Sequence, residues 1–497
     1  MDKRLIEDKW LVIPTILLFA YIIIRLIDQS AIINTFPLDT TNDWSSYITQ
    51  AHFLKVCGFH NPCPYWYGGF TSFLLESPGW PFFVYPIDYI LGNLTAANFI
   101  GLVITFILSL IALFKIGKKL QFSKLRSLFL FAFYFGNSVA IGEFIRLGRI
   151  KSAFGFMLGL LLLYFILEYK DRKLTKKFLL IIPIYAALVI THYQEAFLLS
   201  LLPICLLVYK RNYLERTIII LSLVIAVAIT SFWSYPFLMD VLFNETGSLL
   251  GDNLSRVMFQ YDQAMIPTLI TSFLVSIAFI ALFVLRLSGS KKRMDLFRFY
   301  SPMLLLALLF VSRIYTYVPF LRNISPDTII MILLLFALIF LLELRGTSIT
   351  LKKIAIAAII IITIASITIS HLHTPYFTKY TPMECELLDV LEHTPGSFLM
   401  FTDSHTSYAK AYYSLAAMKY NLTTPSGWYE AIAPQERLDK LVTLTPLIEE
   451  RNCEKFKEEI KSMNTEYLIG YERYCNIFIG CGFKEIYNKG SACLIRL

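Results

Sequence analysis

The sequence predicts a polytopic α-helical membrane protein with about 11 spans and a C-terminal extracytoplasmic α/β domain. Three observations carry that prediction. Of 497 residues, 56% are hydrophobic and 16% are charged, and the mean hydropathy is +0.60. Soluble domains carry roughly 25% charged residues. Long apolar stretches recur along the chain, most of them near the roughly 20 residues that a bilayer core requires. The net charge of +9 is also unevenly placed: residues 371–497 hold 13 basic and 16 acidic side chains, so the basic excess lies in the first 370. A water-soluble globule, a disordered chain and a small disulfide-stapled scaffold are excluded. A basic membrane part beside a faintly acidic tail lacks the clustered basic surface of a nucleic-acid binder, so no nucleic-acid partner is expected.

Eleven stretches qualify as spans: 10–28, 95–114, 127–142, 153–168, 177–191, 195–209, 217–236, 266–286, 299–318, 326–343 and 353–370. The first is too long for a signal-peptide core, and no small-residue cleavage site follows it, so it reads as a retained anchor. The polar connections alternate in charge. One set carries 21 Lys and Arg residues, the other only six: Lys55, Arg146, Arg149, Lys151, Arg256 and Arg322. The positive-inside rule places the basic set and the N-terminus in the cytoplasm. The bundle is expected over 1–370, including a long outer loop at 29–94. The tail, 371–497, then lies outside the membrane as a second domain.

That loop is too long for a simple connector. Residues 45–56 have the apolar spacing of a helix lying along the membrane surface. Residues 80–91 are apolar over only half a span and contain two prolines, which favours a re-entrant or surface helix. In the tail, 396–403, 466–472 and the two segments flanking Lys489-Gly490 read as strands, the last pair as a hairpin. Residues 453–463 read as an amphipathic helix. Seven of the eight cysteines fall on the outer side, where disulfides persist. Cys57 and Cys63 enclose five residues; a bridge and two buried thiols are both open readings. With His60 they lack a fourth metal ligand. Asn244, Asn253 and Asn421 each begin an acceptor sequon.

On this topology the unusual polar residues collect at one membrane face. The first loop opens with Asp39-Thr40-Thr41-Asn42-Asp43. The third span exits into Glu143, Arg146, Arg149 and Lys151. Spans five and six are joined by Thr191-His192-Tyr193-Gln194-Glu195, and spans nine and ten by a turn holding Arg322 and Asp327. Ionisable groups at such depths are functional candidates by default. Arg and Lys suit a phosphate, and a nearby carboxylate suits a general base. The combination points to an anionic, lipid-linked substrate.

The order of parts resembles the GT-C class of integral-membrane glycosyltransferases. More narrowly, it resembles an archaeal membrane-protein family labelled "6-pyruvoyl-tetrahydropterin synthase-related". The matching pieces are Asp39-Thr40, Tyr65-Trp66-Tyr67-Gly68-Gly69-Phe70, Tyr85-Pro86, Gly148-Arg149, Thr191-His192, Pro319-Phe320-Leu321-Arg322 and Ser426-Gly427-Trp428. The family often has His four residues after the loop Asp, where this chain has Asp43, and the segment around Leu75-Glu76-Ser77-Pro78 looks inserted.

The resemblance implies that Asp39 is the catalytic base, against an ordinary role as helix cap. For Asp43, capping or support is the stronger reading and catalysis the weaker. Arg149, Lys151, His192 and Arg322 would hold the donor phosphate, with Arg146 a second choice. The alternatives are cations reaching to the interface and, for Arg322, a salt bridge to Asp327. Glu143 would join a metal or position the acceptor, with an ion pair to a neighbouring arginine as the more ordinary reading. Glu195 would orient His192. Trp428 would stack on a sugar or pack in a core. No ligand set of convincing spacing supports a divalent metal, and no cofactor is expected. The implied activity moves a sugar from a polyprenyl-phosphate donor to a lipid, glycan or protein acceptor at the outer face of the bilayer, with inversion. A non-catalytic lipid-glycan transporter or assembly scaffold, and oligosaccharyltransferase-like block transfer, are the alternatives.

Overall fold

The computed structural model describes residues 8–38, 43–74, 76–243, 266–318, 321, 324–344, 349–377, 379–402, 409–428 and 433–497. The chain divides into two compact units, Met1–Gln29 with Leu102–Pro375, and Ser30–Gly101 with Tyr376–Leu497.

Among the described residues, seven helices are long and apolar enough to cross a bilayer: Lys9–Ile33, Leu94–Lys119, Ile150–Tyr169, Ile270–Ser288, Arg293–Val311, Pro326–Glu343 and Ile356–His373. Two bent pairs, Lys124–Gly136 with Ser138–Arg146 and Tyr213–Ile229 with Ser231–Met239, raise the number to nine, against the eleven expected. The difference lies at 177–209. There the chain forms the helices Ile181–Thr191, Tyr193–Leu199 and Leu201–Tyr209. At 1.5 Å per residue, the 11-residue Ile181–Thr191 helix covers about 16 Å, half the hydrocarbon thickness. It ends because His192 takes an extended backbone.

The 53° bend between Lys124–Gly136 and Ser138–Arg146 has a cause in one side chain. Asn137 is extended, so it cannot continue the first helix. Its amide donates to the carbonyls of Phe133 (3.2 Å) and Tyr134 (2.7 Å), while its own side-chain oxygen accepts the Ala140 N–H at 3.1 Å. One residue therefore closes the first helix and caps the next. The second helix runs on into a π-turn, Ile141–Arg146.

Small residues set the spacing of neighbouring helices. A methyl group added at Gly155 would lie 3.2 Å from Glu195 Cβ, and one at Gly159 would lie 2.4 Å from Leu199 Cδ1. These two glycines, four apart on the Ile150–Tyr169 helix, let the Tyr193–Leu199 helix approach closely.

In the second unit, strands β1 (Pro62–Cys63) and β2 (Phe70–Thr71) form a small antiparallel pair. Strands β3 (Phe398–Phe401), β4 (Tyr467–Tyr471), β5 (Lys484–Lys489) and β6 (Ala492–Arg496) form a sheet in the order β3-β4-β6-β5. The β3–β4 pairing is parallel and the others antiparallel, with a register shift between Glu485 and Tyr487. Gly490 turns the β5–β6 hairpin at φ +58°, a conformation glycine adopts freely. The aromatic-Gly-Gly segment pairs with the tail. Thr424 N–H donates to Tyr65 O at 2.9 Å, and Gly68 N–H to Thr424 O at 3.3 Å. Gly427 makes room for the fully buried Trp66, since an added Cβ would lie 2.7 Å from Trp66 Cγ. Disulfides join Cys57 to Cys63, Cys453 to Cys481 and Cys475 to Cys493. Cys205 and Cys385 are free thiols.

Candidate functional site

The first unit gathers several of the expected residues where three helices begin, at Ile150, Tyr193 and Pro326. After the π-turn, Gly148 takes φ +80°, and Arg149 opens the Ile150–Tyr169 helix. The loop is short because Leu147 N–H donates back to Gly142 O at 2.7 Å and Arg149 N–H to Glu143 O at 2.9 Å. That fold-back aligns the two side chains. Arg149 Nη1 donates to Glu143 Oε2 at 2.5 Å, with 37% of the arginine side chain still open to its surroundings. π-turns are rare and recur at functional sites.

The second element is the break at His192. Its Nδ1 pairs with Glu195 Oε2, and its ring stacks on Tyr193 at 5.7 Å. Glu195 is completely buried. Its other oxygen accepts the Ser152 hydroxyl and, at 3.3 Å, the Thr328 hydroxyl. One carboxylate thus ties together the Ile150–Tyr169, Tyr193–Leu199 and Pro326–Glu343 helices. Next to it, Gln194 Oε1 accepts Ser325 N–H at 3.0 Å. The Glu143–Arg149 pair and the His192–Glu195 pair therefore meet at the start of one helix, where Ser152 follows Arg149 by three residues and bonds Glu195.

Lys151 is also buried, at 1% exposure. Arg146 is buried as well, and its Nε donates to the carbonyl of Pro375 at 2.9 Å. Arg25, inside the first span, donates to Thr374 O at 3.0 Å and Pro375 O at 2.9 Å. Two arginines from distant parts of the chain therefore grip the segment that leaves the last span.

In the second unit, Asp43 precedes the Trp44–Val56 helix but makes no side-chain cap bond to it. Trp428 is buried at 5% exposure, and its carbonyl accepts the Tyr67 hydroxyl at 3.0 Å. Asp39 and Arg322 lie outside the described residues. Among the described residues no cluster of three or more His, Cys, Asp or Glu side chains forms a metal-binding group. Sequence reasoning missed Arg25, Ser152 and Thr328. Arg25 had one available signal, a charge within an apolar span. Ser152 and Thr328 had none, because hydroxyls are ordinary in membrane helices.

Among solved structures, the arabinofuranosyltransferase AftD from Mycobacteria aligns over 98% of this chain, with a TM-score of 0.59 and 10% identity. This chain spans 40% of the length of that protein. The archaeal oligosaccharyltransferase from Archaeoglobus fulgidus, in its apo form, aligns over 94% of this chain and 70% of its own, with a TM-score of 0.55 and 13% identity. The same organism's enzyme AglB, in complex with an inhibitory peptide and a dolichol-phosphate, gives a TM-score of 0.51 at 13% identity, over 91% of this chain and 69% of its own. At such identities the likeness is one of fold, that of GT-C membrane proteins. No curated protein sequence matches. The model of the membrane-protein family described as "6-pyruvoyl-tetrahydropterin synthase related domain" matches residues 78–376. With more than half of its length matched, the chain belongs to that family.

Proposed function

We propose that this protein is a GT-C-type membrane glycosyltransferase. It moves one sugar from a polyprenyl phosphate to a lipid, glycan or protein acceptor at the outer membrane face. One observation carries the reading: Arg149 and His192, each held by a carboxylate, stand half-buried near the starts of the Ile150–Tyr169 and Tyr193–Leu199 helices. N–H donors pre-oriented by carboxylates suit a phosphate that departs with negative charge. The dolichol-phosphate bound to the archaeal oligosaccharyltransferase supports a lipid phosphate as the ligand class.

In this mechanism an acceptor hydroxyl attacks the anomeric carbon from the face opposite the phosphate. The new glycosidic bond forms as the bond from that carbon to the phosphate oxygen breaks. The phosphate leaves with the bonding pair, and the anomeric centre inverts. Asp39 takes the hydroxyl proton. Arg149, Lys151, His192 and Arg322 stabilise the leaving phosphate, with Glu143 orienting Arg149.

The test is sugar transfer from labelled polyprenyl-phosphate donors in membranes containing the chain, beside Asp39→Asn at equal expression. A loss of about 10²- to 10⁴-fold is expected for removal of a general base. Unchanged transfer by the variant would remove Asp39 from that role. No transfer by the native chain with any donor would favour a scaffold or transporter. A product heavier by a whole preassembled glycan would indicate block transfer.

The proposed orientation puts the N-terminus in the cytoplasm and the tail outside. The charge asymmetry supports it, and so do the three disulfides of the second unit, because such bonds persist in oxidising compartments. An impermeant maleimide applied to intact cells is expected to label the exposed Cys385 without reductant. The six bridged cysteines should react only after reduction. Labelling of Cys385 only after the cells are opened would reverse the orientation.

A further inference from the structure

Local preferences are set aside at one point of the second unit. Tyr67 takes φ +57°, a conformation that a bulky side chain rarely adopts. Gly68 and Gly69 follow at φ +70° and +115°. Arg437 sits in the first turn of the Gln435–Glu449 helix, the end at which the helix dipole disfavours a cation. Its guanidinium lies against the bare backbone of Gly68. A methyl group added there would meet Arg437 Nη2 at 2.7 Å and Cζ at 3.3 Å. Places where local rules fail together are expected to be functional or strained.

Arg437 is half-buried and has no carboxylate partner among the described residues. Its side chain makes one hydrogen bond there, to Met463 O at 3.3 Å. The neighbouring acid, Glu436, turns instead to Lys440 at 3.1 Å. Acids are not scarce around it, since residues 371–497 hold 16 acidic and 13 basic side chains. One residue beyond Gly68 the surface opens. A methyl group added at Gly69 would have no atom within 4 Å beyond its chain neighbours. The guanidinium is thus placed by a carbonyl and a glycine, keeps free N–H donors, and stands beside uncovered backbone. Glycine serves where the main chain must approach a ligand closely. The arginine fork matches the paired oxygens of a carboxylate or phosphate.

We propose that Arg437 and the Gly68-Gly69 turn form an oxyanion site on the second unit, which takes a carboxylate or phosphate carried by a saccharide. The oxygens of the anion accept from the guanidinium donors that Met463 leaves free, and Gly69 lets the ligand lie on the main chain. The saccharide carrier rests on the transferase reading, in which the site holds an acidic group of the acceptor. The preference for an anion does not rest on it.

The test titrates glucuronate, glucose 1-phosphate and glucose against the full chain in phosphatidylcholine nanodiscs, with binding read by ligand-observed NMR. At least one of the acidic sugars is expected to bind about tenfold more tightly than glucose, and the tighter one names the anion. Arg437→Gln should remove that preference. Arg437→Lys should keep only part of it, because an ammonium lacks the planar fork. Both variants should unfold near the native midpoint, since the side chain makes a single long hydrogen bond. The preference should survive Arg149→Gln, which alters the candidate site of the first unit. Equal affinity for all three sugars overturns the proposal. A preference that Arg437→Gln leaves intact overturns it too, and one that only Arg149→Gln abolishes places the anion in the first unit. No readout here depends on sugar transfer, so failure of the transferase reading and failure of this site are told apart.

Discussion

Replacing Glu195 by alanine is expected to destabilise the bundle by about 3 kcal/mol or more, because each buried donor left without its acceptor costs about 1–3 kcal/mol. The carboxylate is completely buried and serves Ser152, Thr328 and His192 on three helix segments. Alanine would leave two hydroxyls and an imidazole without the acceptor they share, and open a cavity beside Gly155. Thermal unfolding in nanodiscs would read the loss as a fall of the midpoint. Glu195→Gln keeps the volume and most hydrogen bonds, so its stability loss should be much smaller. Its effect on sugar transfer should nonetheless be tens-fold, because His192 loses its anionic partner. A double-mutant cycle separates the two roles. If Glu195 acts through His192, adding Glu195→Gln to His192→Gln lowers transfer little further. An equal further loss in that background would assign Glu195 to scaffolding alone.

The second large effect is expected at the arginine pair. Arg25 places one guanidinium nitrogen on Thr374 O and another on Pro375 O, and Arg146 adds a third bond to the Pro375 carbonyl. Hydrogen bonds to charged groups contribute about 1.5–3 kcal/mol each, so Arg25→Ala should lower stability by about 3 kcal/mol or more. Arg25→Lys should recover only part of this, because an ammonium lacks the planar fork that spans two carbonyls. The combined Arg25→Ala/Arg146→Ala change should fall short of the sum of the single changes, since both side chains serve Pro375. Simple additivity in the unfolding midpoints would show that the two arginines act separately.

Local signals in the chain were legible, and long-range ones were not. The apolar runs announce most spans, because crossing a bilayer demands a run of fixed length. They do not announce the break at His192, where five polar-leaning residues from Thr191 to Glu195 read as a connector between two full spans. The backbone at His192 instead shortens the flanking helices. The β5–β6 hairpin is legible because Lys489-Gly490 makes a turn between two short strand-like segments. The Cys57–Cys63 bridge was one of two open readings. The other two bridges join cysteines 28 and 18 residues apart, a pairing that spacing leaves undetermined. Within the candidate site, Glu143 with Arg149 and His192 with Glu195 are near neighbours in sequence, so their pairing could be anticipated. Ser152, Thr328 and Arg25 reach partners 43 to 350 residues away, and only the assembled bundle brings them together.

The reach of Arg25 bears on how the protein is made. Its carbonyl partners follow it by 349 and 350 residues, and Tyr21 in the same span bonds Ser370 across 349 residues. At about 5–20 residues per second, the ribosome needs roughly 17–70 s to deliver them. Through that interval the first helix sits in the membrane with its arginine apart from the Thr374 and Pro375 carbonyls that will later receive it. Insertion of the opening span and closure of the bundle are therefore separate events, and the second waits for the last helix to leave the translocon. A chain that stalls before residue 374 keeps an ionised side chain in its first span without those acceptors.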